Sequence, residues 1–435
     1  VYASALSAEP LLYRRSKGFQ DYDERIAVLI QVVQGEEQGD YYLPHMAGVA
    51  FSLNLYRWSP QIDRDAGFLR LVWGLGTRAV DRVGNDFPRL VALSHPMLYA
   101  HSDPRLLSRY SQKKVDLIDL KKNEFRSVPI EEILHNRYPI LRYIAQVYQD
   151  GYLSPIRSSL VQVDEQNLVV NMDEMLHRTP FADRMKRMLS TLSKHYQSPV
   201  DMEFAAWIVD PQSGEPDVEI SILQCRPQSH LQETEVKIPR NLPKGDIVFA
   251  TSQVLPHGQV ENIDYVLFVT PEGYFGLDDE DARVALERTI GRLNNILAEE
   301  VFISLGPGRW GTTTPDLGIR IGYSDIYNSR ALIEISGEGV GTAPEPSFGT
   351  HFFQDLLESS IYPLAIYLDD EDVSFNQEFF YESPNHLLEF LPEAEDLVDV
   401  MRLIRVHDYR PGHYIHLIMD GEVGRAVAYL TEEGE

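Results

Sequence analysis

Four polar residues on two neighbouring β-type runs are the first candidates for chemistry. PVDMEFAAWIV opens with Asp201 and Glu203, two residues apart, and VEISILQCRP carries Gln224 and Arg226 near its end. Side chains alternate along a strand, so Asp201 and Glu203 share a face, and so do Gln224 and Arg226. If the two strands pair, carboxylate, amide oxygen and guanidinium converge on one small volume. That set suits a Mg²⁺ ion and the polyphosphate it bridges, with hard oxygens for the metal and a planar fork for phosphate. Spacing alone leaves a plain hairpin with charged edges equally open.

Other elements must position this pair. AGVAFS (Ala47 to Ser52), FLRLVWG (Phe68 to Gly74) and RLVALS (Arg89 to Ser94) read as strands, and IAVLIQVV (Ile26 to Val33) reads as a buried strand carrying Gln31. From Asp103 to about Ser198 the pattern reads as mostly helical, with amphipathic helices expected at Ile140 to Tyr148 and Phe181 to Tyr196. Met185, Met188, Leu189 and Leu192 fall on one face of the second, as a core stripe would. A polar, proline-containing stretch at 231–245 reads as a linker between a 1–230 domain and an acidic accessory domain at 246–435. In the accessory domain, strands alternate with helices, which gives α/β or α+β architecture.

Composition narrows the partners. The net charge is −27, and it is unevenly placed: residues 1–232 carry 26 Lys+Arg against 29 Asp+Glu, and the remainder 13 against 37. Nucleic acid is excluded as a partner, because no basic surplus exists to displace counterions from a phosphate backbone. A polyphosphate ligand belongs in the near-neutral first half. The one cysteine, Cys225, excludes internal disulfides and multi-cysteine metal sites. No run of apolar residues is long enough for a membrane span, and a cytoplasmic location is the default. The chain begins at Val1 without a leader, which reads as a fragment or processed piece.

Three weaker motifs accompany the hairpin. The turn Gly74-Leu75-Gly76 is followed by Arg78 and Arg82, four apart as on one helix face, and glycine turns of this kind can present amides to an anion. GPGRWG (Gly306 to Gly311) either offers Arg309 and Trp310 to a ligand or simply buries Trp310. His351, behind Gly349 at a helix start, is either a phosphoryl acceptor or a surface cap.

Taken in order, ALSAEPLLYRR, AVLIQVV, AGVAFS, WGLGTRAV, SPVDMEFA and LQCRP resemble the ATP-binding domain of the phosphoenolpyruvate synthase, pyruvate phosphate dikinase and rifampin phosphotransferase family. The resemblance spans about 225 residues and implies an α+β, ATP-grasp-type fold, present here as its C-terminal portion. It implies ATP and Mg²⁺ as cofactors. Gln31 would lie against adenine, and Glu203, Gln224 and Asp201 would serve the metal and phosphates. Arg226 would meet the phosphates as a catalytic cation, with Arg78 as a further nucleotide contact and His351 as the second catalytic candidate. The implied chemistry is phosphoryl transfer from ATP to a histidine and on to a small acceptor such as pyruvate.

The chain departs from the family pattern in places. Thr77 follows GLG where the family usually has glutamate. The family's N-terminal lysine-bearing lobe, its phosphohistidine segment and its pyruvate-binding barrel have no counterpart here. The upstream lobe is therefore an expected partner, and a homodimer is among the expected assemblies. The competing expectation is a regulatory or scaffold module that keeps the ATP-grasp shape and uses its second domain for partner contact.

Overall fold

The computed structural model describes the chain except residues 1, 17, 24, 55–57, 60, 81–85, 100–102, 158–162, 229–235, 253–255, 278, 313, 338, 339, 341–349, 422 and 433–435, and the side chains of residues 9, 16, 351 and 354. Arg82, Asp278 and the first part of the 231–245 stretch thus lie outside the described residues. The chain divides into two compact units. One comprises Val32–Ser229 with Gly349–His351; the other comprises Val1–Gln31, His230–Phe348 and Phe352–Glu435.

The first unit is built on a five-stranded antiparallel sheet. Its order is Asp217–Pro227, Val200–Val209, Met46–Phe51, Phe68–Val72, Arg89–Ala92. One face is apolar: Met46, Ala50, Leu69, Leu71, Val91, Met202 and Phe204 join a single buried cluster. The Phe181–Tyr196 helix closes that face by burying Phe181, Ala182, Met185 and Leu189. Met188 and Leu192 pack against the same cluster, so the methionine stripe is core.

Two smaller sheets complete the unit, and five of their seven strands fall between Asp103 and Ser198, where a mostly helical pattern was expected. Glu36–Gln38, Tyr41–Leu43, Lys114–Asp119 and Glu124–Pro129 form one, and Leu168–Val170, Ala145–Gln149 and Tyr152–Pro155 the other. The helix expected at Ile140 to Tyr148 exists only at Leu141–Ile144. Beyond it the chain turns to strand, because Asp150 and Gly151 take φ of 53° and 85° and fold a tight hairpin.

The largest difference concerns Gln31. Its run, expected as a buried strand, is assigned to no strand, and Leu29, Ile30 and Val32 are 81%, 89% and 81% exposed. The β-branched composition favours extended backbone, but among the described residues no strand pairs with it; its end is met by the Tyr42 hydroxyl, which donates to the Val33 carbonyl at 3.1 Å.

The second unit is layered. Tyr265–Val269, Phe302–Pro307, Ala331–Ser336 and Tyr362–Tyr367 run parallel in sequence order, and Met401–Arg405 joins antiparallel at one edge. An antiparallel sheet including Ile247–Thr251, Gly258–Ile263, His413–Asp420 and Arg425–Glu432 shares one buried cluster with these strands. Helices such as Glu280–Ile296 share a second cluster with them. A parallel sheet buried on both faces explains runs such as ALIEIS, apolar without alternation.

Candidate functional site

The register of the hairpin brings the four sequence candidates together. Asp201 lies directly opposite Arg226, and Glu203 directly opposite Gln224. Directly opposed residues point to the same face, so all four line the side of the sheet away from the Phe181–Tyr196 helix. A one-residue irregularity makes this possible. Glu203 pairs with Gln224 but the next residue, Phe204, pairs with Ile222, which leaves Leu223 as the extra residue of a bulge. Before the bulge, Val218, Ile220 and Ile222 lie opposite Ile208, Ala206 and Phe204 on the apolar face. After it, the parity is reversed and Gln224 and Arg226 turn to the polar face.

Electrostatically, the site is a buried anchor with a half-exposed head. The Arg226 Nε donates to Asp201 Oδ1 and Oδ2 at 3.0 and 3.1 Å. The Asp201 side chain is 9% exposed and the Arg226 side chain 41%. Glu203 is half-buried and Gln224 exposed, so both reach solvent from one rung of the sheet. Cys225 points to the apolar side opposite Met202, and burial, followed by the nearby Asp201 charge, pushes its thiol upward. A groove of about 630 Å³ lined by Met188, Leu192, Ile220 and Ile222 lies on that opposite side, away from the polar set.

Two groups that strand patterning did not bring out sit near this face. Arg70 occupies the same cross-strand row as Val49 and Glu203, is fully buried, and donates from Nε to the Ala79 carbonyl at 2.7 Å. It ties the short Thr77–Val80 helix to the polar face of the sheet. An arginine inside the apolar run FLRLV was the available signal. Asp116 and Asp86 are the second group. Arg78 donates to Asp116 Oδ1 at 2.7 Å, to Asp86 Oδ2 at 2.5 Å and to Ser127 Oγ at 2.9 Å. Thr77, in the place where glutamate was expected, donates its hydroxyl to Asp116 Oδ2 at 2.6 Å. The structure therefore puts Arg78 in a closed, buried ion-pair network behind the glycine turn.

The remaining candidates belong to other elements. Gln31 is exposed on its run. Arg309 and Trp310 are each 1% exposed, and the Trp310 backbone N–H donates to Glu334 Oε1 at 2.9 Å. Gly308 and Gly311 take φ of 64° and 74°, so the glycines of GPGRWG serve a buried turn. His351 is the first residue of the His351–Glu358 helix; its side chain is outside the described residues.

Residues 1–245 match the model of the pyruvate phosphate dikinase, AMP/ATP-binding domain. The chain belongs to that family. The match spans the hairpin, the glycine turn and the Gln31 run, and it makes the first half an ATP-binding domain of a phosphotransferase family. No curated protein matches the chain. The described residues include no helix long and apolar enough to cross a membrane.

Proposed function

We propose that this chain supplies the metal- and phosphate-facing wall of an ATP site in a phosphoenolpyruvate synthase-like phosphotransferase. The observation that carries the proposal is the rung order of the hairpin, which puts Glu203 beside Gln224 and Asp201 beside Arg226 on one face. Glu203 and Gln224 offer two hard oxygen atoms on adjacent strands, which suits Mg²⁺; this ion takes one or two protein oxygens and fills its shell from phosphate and water. Bound there, the metal would neutralise charge on the polyphosphate. Arg226 would grip phosphate oxygens through its planar fork. Gln31, on its exposed run, is the adenine contact in this reading. An upstream lobe would cover that run, and the exposure of Leu29, Ile30 and Val32 supports a missing cover. The phosphoryl group would pass to a histidine and then to a small acceptor such as pyruvate; within this chain His351 is the acceptor candidate.

The binding-module reading keeps one specific support. Thr77 and Arg78 are turned into the Asp116 network, so the glycine turn spends its polar side chains on structure. Calorimetry with Mg-ATP, on the chain joined to its upstream sequence, separates the readings. Wild type should give heat that Glu203→Ala lowers by at least about tenfold in affinity, in line with loss of a charged hydrogen-bonding partner. Heat that ignores Glu203 would leave the binding-module reading standing.

A further inference from the structure

We propose that Asp201 is the positioning residue of Arg226, and that Mg²⁺ is held without it; this rests on the nucleotide reading of the site given above. Both carboxylate oxygens of Asp201 accept from a single atom, the Arg226 Nε, at 3.0 and 3.1 Å. An arginine gripped at Nε has the plane of its guanidinium set by that grip, and in this reading Nη1 and Nη2 are the atoms that would meet phosphate. That pair is the one that matches two phosphate oxygens. The exposure gradient runs the right way: the carboxylate is buried at 9% and the guanidinium reaches out at 41%. The anchor is also fixed by the backbone, because the two residues are directly opposed across one rung of a ten-residue and an eleven-residue strand.

Charge bookkeeping points the same way. The charge of Asp201 is already compensated by its arginine, which weakens its pull on a divalent cation. Glu203 lies one rung further along, opposite an uncharged amide, and reaches solvent. No group of three acidic, histidine or cysteine side chains among the described residues could hold a metal by itself. A metal shared between Glu203, Gln224 and the ligand's own phosphates fits this arrangement, and a cage built on Asp201 does not.

The test is a double-mutant cycle read by Mg-ATP affinity, with a Mg²⁺ titration at fixed ATP as the second readout. Asp201→Ala and Arg226→Ala should each weaken Mg-ATP by about ten- to a hundredfold. The double variant should bind no more weakly than Arg226→Ala, and somewhat better, because a lone Asp201 carboxylate would repel the phosphates. The Mg²⁺ midpoint should be unchanged in Asp201→Asn, which keeps the shape and an accepting oxygen if the alanine variant folds poorly. Additive losses, or a Mg²⁺ midpoint shifted by Asp201→Asn but not by Arg226→Ala, would overturn the positioning role and make Asp201 a metal ligand. Absence of any Glu203-dependent binding in wild type overturns the nucleotide reading itself, and the positioning role with it.

Discussion

Replacing Arg78 with methionine is expected to cost the first unit about 3–5 kcal/mol at neutral pH, because it strands two buried carboxylates that the arginine now neutralises. The side chains of Arg78, Asp86 and Asp116 are 4%, 7% and 5% exposed, so solvent cannot take over the arginine's role. Methionine keeps most of the stem volume, so the loss reports charge and hydrogen bonding more than a cavity. The loss should depend on pH in a defined direction. Burial already holds the Asp86 carboxyl above its ordinary range, against the opposing pull of the Lys113 amide and of Arg78. A carboxyl with a raised folded pKa keeps its proton longer in the folded state than in the unfolded state. Its contribution to stability is full below the unfolded pKa and fades as pH rises through the folded one. Without Arg78 that folded pKa climbs further, so the penalty is greatest above it and shrinks as acid protonates Asp86. Urea unfolding at pH 5 and pH 7, with hydrogen exchange of the Lys114–Asp119 strand as a local probe, measures both the size and the slope. A loss under about 1 kcal/mol, or one equal at the two pH values, would mean that the network is not an electrostatic keystone.

This prediction bears on function as well as stability. The same arginine is the nucleotide contact implied by family resemblance, yet its guanidinium is shared between two aspartates and a serine. If the network is as stabilising as its burial implies, Arg78 shapes the glycine turn from behind, and the ligand's cation is Arg226. The two arginines differ most in exposure, 4% against 41%, and exposure decides which of them a soluble phosphate can reach.

How far the sequence could be read varies with the physics behind each element. The hairpin strands were legible because β-branched content and turn residues agree from Val200 to Pro227, and alternation is broken only at Leu223. The Phe181–Tyr196 helix was legible for a similar reason, its apolar stripe recurring at helical spacing over four turns. Short strands between Asp103 and Ser198 were missed, although Asp150-Gly151 and the positive φ at Asn123 mark hairpin turns in their midst. The Ile26 to Val33 run shows a different limit. Composition reports that a segment prefers to be extended and covered, but it says nothing of whether the covering strand belongs to the same stretch of chain. The polar face was the subtlest case. Counting by twos from Val218 puts Gln224 and Arg226 among the core residues, and only the extra residue at Leu223 moves them off it.

Deleting Leu223 is therefore expected to leave the site in place, because it removes only the extra residue and none of the pairings on either side of it. Without the bulge, the period of two runs unbroken from Val218 to the strand end. Gln224, now directly after Ile222, would stay on the polar face opposite Glu203, with Arg226 opposite Asp201 and Cys225 on the apolar side. Mg-ATP affinity should stay within about threefold of wild type, since the amide and the guanidinium keep their side of the sheet. Cys225 offers an internal control that needs no nucleotide. Its thiol now packs toward the apolar side with its pKa pushed up by burial, so it should react slowly with a thiol reagent. In the deletion variant it should react as slowly, because it keeps its place on the apolar side; an exposed thiol would yield more of the attacking thiolate. Slow labelling together with retained binding would show that the parity of the strand end, with or without the bulge, is what aims Gln224 and Arg226 at a ligand. Fast labelling together with lost binding would show that the strand had instead slipped its register in the 210–216 turn and turned its polar end to the apolar side.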